Sequence, residues 1–205
     1  MNASDLRTAM AAIAAKMKQE RQYLIELDQR NGDGDLGISM DEGFNAASRA
    51  MNESAETDLG KLLICASKAF NEAAPSSLGT IMSLQMMGMA RTLKGHASAD
   101  AALLGEALKA GVEKVMDKAG SKPGEKTILD ALVPAVDAIC THAGEGFDTA
   151  LKTAADAAAK GSDSTANMPA VHGRAAYYGD KAIGLIDGGS IVGRMIFETL
   201  AQSRA

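Results

Sequence analysis

Residues 27–44 read LDQRNGDGDLGISMDEGF. One apolar stripe runs into this stretch and another runs out of it. Upstream, Leu6, Met10, Ile13, Met17, Leu24 and Leu27 recur at spacings of three, four or seven, which predicts one long first helix. Downstream, Met40 and Phe44 belong to a second helix starting near Ile38. Between the two stand glycines and carboxylates, which are turn chemistry rather than core. The same succession of helical stripe and polar break repeats along the chain. Leu59–Phe70, Leu78–Leu93, the stripe Leu104, Leu108, Val112, Val115, the stripe Ile128, Leu132, Val136, Ile139, the run Phe147–Ala158 and Ile191–Leu200 each predict a helix. The polar stretch after Ala158 reads as loop. Pro134 lies inside one stripe and predicts a kink or a shorter helix there. Strand-like alternation is essentially absent. The expected fold class is all-α: a closed antiparallel barrel or bundle of about eight helices with short links.

With 205 residues and 46% hydrophobic content, the composition fits one domain spanning residues 1–205. A net charge of −5 supplies no global field for nucleic acid or an acidic membrane surface, so any phosphate binding must be local. No apolar run approaches ~18 residues, and the amino terminus lacks a basic start, apolar block and cleavage site. A cytoplasmic protein without membrane insertion is expected. Cys65 and Cys140 sit in apolar runs and read as small buried hydrophobes in a reducing compartment. The twelve methionines read as adaptable core filling. His96, His142 and His172 are scattered without a zinc-like spacing and read as ordinary surface or packed histidines.

The polar breaks are where chemistry can sit. Asp28 falls at a helix end, and Asp33 and Asp35 lie two apart in a glycine-permitted loop, so an extended segment would aim both carboxylates the same way. Several oxygen donors from one short segment suit Mg²⁺, a hard ion that shares its shell with substrate phosphates. Two rivals stand beside this reading. One is a solvated Asp/Gly turn. The other is a calcium loop, since Asn31, Asp33, Asp35 and Glu42 match its first, third, fifth and twelfth positions, although Leu36 occupies the place of its turn glycine. APSSLGT sets Ser76 and Ser77 at a helix start, where hydroxyls and free N–H groups cap the helix or receive a phosphate. SKPGEKT places Lys122, Gly124 and Lys126 ahead of another helix, and a second Asp/Gly turn follows at Asp187, Gly188 and Gly189. No glycine-rich loop ends in Gly-Lys-Ser/Thr, which excludes a P-loop.

Taken in order, LDQRNGDGDLGISMDEGF, APSSLGT, KPGEKTILDALVPA and GRAAYYGDKAIGLIDGGS resemble the nucleotide-binding L subunit of bacterial dihydroxyacetone kinases, from about Tyr23 to Ser190. The resemblance implies an eight-helix barrel that binds ADP or ATP at one rim, with three aspartates chelating two Mg²⁺ ions against the phosphates. It assigns Asp28, Asp33 and Asp35 as the metal ligands. It assigns Leu36, Gly37, Ile38 and Ser39, Ser76 or Ser77, Gly120, Ile128, Arg174, and the turn Asp187, Gly188, Gly189 as nucleotide contacts, with Ile128 where the family has an adenine-lining methionine. Two departures stand out. Leu36 replaces the family's histidine, and the serine loop is one residue shorter than the family's Gly-Gly-x-Ser-Gly.

The chemistry implied is phosphoryl transfer by positioning and electrostatics, with Arg174 as the catalytic positive donor. The resembled family carries its sugar, dihydroxyacetone or another short ketose, on a separate K-type subunit. Phosphate comes either from exchanging ATP or from an M-type phosphocarrier of the phosphotransferase system that recharges a resident ADP. A stand-alone L chain points to the phosphocarrier; Leu36 in place of histidine points to exchange. A homodimer is left open. The alternative function is a non-catalytic Mg-nucleotide sensor with a regulatory role.

Overall fold

The computed structural model describes residues 1–203; among them are nine α-helices, three 3₁₀ segments and no strand. The helices are α1 (Ala3–Gln19), α2 (Arg21–Asp28), α3 (Leu36–Glu53), α4 (Leu59–Ala73), α5 (Ser77–Leu93), α6 (Ala101–Ala119), α7 (Leu129–His142), α8 (Phe147–Ser164) and α9 (Gly188–Gln202). From α3 to α9 each helix packs on the next, and α1 lies against both α3 and α9, so eight staves close into a ring. The all-α barrel expected from periodicity is the fold observed.

The stripes became staves because each presents its apolar face inward. Met17, Leu24, Met40, Met51, Leu62, Phe70 and Val115 are completely buried, and Phe44 meets Phe70 edge to face at 4.9 Å. Removing a side chain of this size from water contributes about 1.5–3 kcal/mol. Where staves approach closest, side chains vanish: a Cβ on Gly88 of α5 would stand 2.5 Å from the Gly111 Cα of α6. Local caps mark where the staves start. Asn2 and Asp5 form a reciprocal capping box on α1, Asp58 accepts the Lys61 N–H on α4, and Asp100 accepts the Leu103 N–H on α6.

Three expectations need correction. The long first helix is interrupted at Glu20 (φ −92°, ψ 5°), yet Leu24 and Leu27 remain buried, so the apolar periodicity survives a break that it could not reveal. α8 runs on to Ser164: Ser162 is buried with its Oγ 2.9 Å from Ser190 Oγ, and the buried Thr165 that follows the helix donates to the Ser162 carbonyl at 2.6 Å, while Asp163 and Ser164 stay exposed. Pro134 is not among these: it sits inside the 14-residue α7, as a kinked stripe would place it. Proline has no N–H for the carbonyl four residues back, and at that carbonyl, Asp130 O, α8 comes so close that a Cβ on Gly161 would stand 2.0 Å away. Cys140 is exposed and Cys65 only half-buried.

Candidate functional site

An antiparallel barrel starts every second stave at the same rim. Here α3, α5, α7 and α9 all begin where α2 ends, and residues at their starts surround one open cleft. Helix N-termini carry unpaired N–H groups and the positive end of the helix dipole, so the topology gathers anion-binding ends on one side of the molecule.

Opposite that positive field stands the acidic turn. Ligand-competent oxygens of Asp28, Asp33 and Asp35 all lie within 4.8 Å of one another. Asp28 ends α2, and its Oδ2 accepts the Gly34 N–H at 2.8 Å, which folds the turn back over it. A Cβ on Gly32 would stand 2.1 Å from Asp28 Oδ1, and Gly34 takes φ +79°, so both glycines are demanded by the turn. Asp35 precedes α3 without a side-chain cap bond, which leaves its carboxylate facing the cleft. Partial burial, then the neighbouring Asp33 and Asp28 charges, push the Asp35 carboxyl above its ordinary value. Three crowded carboxylates in an all-oxygen cluster fit a hard divalent cation such as Mg²⁺. Arg174 Nη2 lies 3.0 Å from Asp33 Oδ2; the arginine side chain is 63% exposed, so this pair stabilises the fold by at most about 1 kcal/mol.

The remaining walls are mixed. Ser76 caps α5 by accepting the Gly79 N–H at 3.1 Å, while Ser77 is exposed at the first helical position. Leu78 and Ile81 from α5 and Ile128 ahead of α7 give an apolar wall. Asp187 caps α9 through the Ser190 N–H at 2.7 Å. Burial pushes its carboxyl up to about 7, against the pull of the Ser190 bond and the Lys126 charge.

The cleft therefore brings together Asp28, Asp33, Asp35, Leu36, Ser76, Ser77, Ile128, Arg174, Asp187, Gly188 and Gly189. Leu36 is also core: it is buried, and a Cβ on Gly188 would come within 2.7 Å of its Cδ2. Gly37, Ile38, Ser39 and Gly120 do not line the cleft. Gly37 serves the packing of α3 on α2, since a Cβ there would stand 2.1 Å from the Arg21 carbonyl, and Gly120 ends α6 in the left-handed conformation.

Lys126 and His172 line the cleft as well, outside the residues chosen from sequence. Lys126 is 3% exposed and takes φ +60°, an uncommon conformation for a side-chain-bearing residue. Its ammonium donates to the carbonyls of Thr165 (2.6 Å), Ala182 (3.0 Å) and Leu185 (2.5 Å), and burial lowers its pKa. His172 is half-buried and packed, with its Nε2 2.6 Å from Glu125 Oε2. That contact holds the Glu125 carboxyl below its usual range, with the Lys122 N–H assisting. SKPGEKT carried the only sequence signal for these residues, and no local pattern reveals partners so far along the chain.

Residues 31–202 match the DAK2 domain, and the chain belongs to that family. It is 27% identical over 188 residues to the ADP-binding subunit DhaL of PEP-dependent dihydroxyacetone kinase 1 from Listeria innocua, covering 92% of this chain and 90% of that one. It is 27% identical over 184 residues to the corresponding Escherichia coli subunit, covering 89% and 88% respectively. It is 30% identical over 182 residues to the L-erythrulose 1-kinase of Mycolicibacterium smegmatis, covering 86% of this chain but 31% of the relative. The fold matches that of a dihydroxyacetone kinase from C. freundii, solved with AMP-PNP and Mg²⁺, at a TM-score of 0.80 and 23% identity; the match covers 98% of this chain and 34% of the kinase. Among the described residues no helix is long and apolar enough to cross a membrane.

Proposed function

We propose that the protein is the nucleotide-holding subunit of a dihydroxyacetone kinase-like phosphotransferase. The observation that carries this reading is the convergence on one cleft of three clustered carboxylates, four helix starts and Arg174. Asp28, Asp33 and Asp35 hold Mg²⁺, as two ions shared with the phosphates; when bound, the metal supplies charge that offsets the phosphoryl oxygens. The N-termini of α3 and α5 donate N–H groups to the phosphates of ADP or ATP, with Ser76 or Ser77 beside them. Leu78, Ile81 and Ile128 present the apolar wall that a purine ring needs. Arg174 adds a mobile positive donor at the transferring group.

No residue lining the cleft is placed as a nucleophile or base for a sugar hydroxyl, so the acceptor comes from outside. It is dihydroxyacetone or a related short ketose carried by a K-type subunit that meets the open rim. The curated relatives' description as PEP-dependent favours an M-type phosphocarrier as the source of phosphate, with ADP retained in the cleft. The test is reconstitution with a K-type subunit. Sugar-dependent phosphate consumption, from phosphoenolpyruvate through the phosphocarrier or from ATP, is the expected result. Tight Mg-ADP binding without transfer to any short ketose would instead identify a nucleotide sensor.

A further inference from the structure

Residues 166–187 form an arm that leaves the barrel after α8, crosses the cleft mouth with Arg174, and returns at α9. Its middle has little packing of its own. Tyr177 is 91% exposed, and among residues 173–181 only Ala175 and Ala176 are half-buried. Gly173 (φ +64°) and Gly179 (φ +52°) bracket this exposed stretch as natural swivels. The arm is tied down from outside, by two successive residues of the turn ahead of α7.

We propose that Glu125 and Lys126 form a two-part clasp on this arm: Lys126 is a fixed anchor, and the Glu125–His172 contact is a releasable latch that sets how fast nucleotide enters and leaves. The inference rests on the nucleotide reading of the cleft. The two parts differ physically. The Lys126 ammonium has three protons and three carbonyl acceptors, one before the arm's exposed stretch at Thr165 and two after it at Ala182 and Leu185. Opening it strands a buried charge and three carbonyls, so it stays closed. The latch is one side-chain contact, 36% exposed on His172 and 16% on Glu125, beside a long bond from the Val171 N–H to the Glu125 carbonyl at 3.4 Å, and water replaces both at little cost. Release leaves only the exposed Arg174–Asp33 pair holding the arm near Gly173, while the Ala182–Leu185 end stays fastened. Glu125 and Lys126 are thus positioning residues; they act through where they hold Arg174.

The arm carries its own reporters, since trypsin cleaves after Arg174 and Lys181. Cleavage of the full chain is followed by mass spectrometry, and release of a fluorescent ADP analogue by stopped flow, with Mn²⁺ affinity measured without nucleotide. His172→Ala should speed cleavage after Arg174 and nucleotide release each by about fivefold or more, since cutting tracks the open fraction. Cleavage after Lys181 should not change, and Mn²⁺ affinity should stay level or rise slightly, because freeing Arg174 takes a positive charge away from Asp33. Glu125→Gln, which keeps a hydrogen-bonding partner for the ring, should stay near wild type. Lys126→Met should expose both cleavage sites. Uniform or absent changes in His172→Ala overturn the latch, and continued protection of Lys181 in Lys126→Met overturns the anchor. Should Lys126→Met not fold, the site-selective effect of His172→Ala decides. A wild type that binds no Mg-ADP but shows this cleavage pattern overturns the nucleotide reading and the exchange role while keeping the clasp; bound nucleotide with unchanged cleavage does the reverse.

Discussion

Residues 28–35 and residues 166–187 bring opposite charges to the same cleft, and they are held there by different means. The acidic turn is secured by its own neighbours: Asp28 accepts the Gly34 N–H six residues away, and Gly32 between them makes the room. The arm is secured from a distance, by Lys126 bonds spanning 39, 56 and 59 residues and by a His172–Glu125 contact spanning 47. A turn built from within keeps its shape whatever the rest of the barrel does. An arm fastened from outside can be moved by changing one fastener. On the proposed reading, the self-secured turn carries the metal ligands and the remotely fastened arm carries the arginine, a division that suits holding a nucleotide while charge develops during transfer.

The largest expected effect comes from removing the arm's contribution while leaving the turn whole. Arg174→Ala should slow phosphoryl transfer by about 100-fold or more, with Mg-ADP affinity falling less than tenfold, because a charge aimed at the transferring group matters most in the transition state. Equal losses in rate and binding would place Arg174 among the ground-state contacts instead.

A smaller effect sits where the arm rejoins the barrel. The Asp187 carboxyl, at about 7 in the folded chain against an ordinary value of 3.8, holds its proton through a range where the unfolded chain has lost it. The folded state then binds more protons between these values, so stability should fall as pH rises from about 4 to 7, by up to about 1.4 kcal/mol per pH unit, and level off above. Asp187→Asn keeps a side chain able to cap α9 and should flatten that slope. Denaturant titrations at several pH values check it; an unchanged slope in the variant would assign the dependence to other groups.

The smallest effect belongs to Leu36, which lies beside the turn. It starts α3 directly after the turn and lies under Gly188, the first residue of α9. Leu36→His should slow ADP release only a few-fold, because a new polar contact worth about 1 kcal/mol is offset by lost core packing. A gain beyond tenfold would show that the position acts on the ligand and not on the core.

These two regions also mark how far the sequence could be read. Every stave showed its period, because an apolar face must repeat at helical spacing to be buried. The turn was equally legible, since glycines and carboxylates that act together stand within eight residues. The Glu20 break was hidden, because it leaves the stripe of Leu6 to Leu27 intact. The polar end of α8 was hidden for another reason: Ser162 and Thr165 are buried only because Ser190 and Asp187 return to meet them. Lys126 and His172 fall in the same class. Their partners are remote, and nothing adjacent in sequence distinguishes a clasp from two solvated side chains.

The central claim is that the turn, the helix starts and the arm form one Mg-nucleotide site. Calorimetric titration of Mg-ADP into wild type, Asp33→Asn and Asp35→Asn tests it most directly, with circular dichroism confirming that both variants keep their helices. Saturable binding by wild type and a loss of at least about 100-fold in each variant is the expected result, since each substitution removes a charged oxygen donor from a hard-ion site. Unchanged affinity in both variants would contradict the metal assignment and leave the acidic turn a solvated loop.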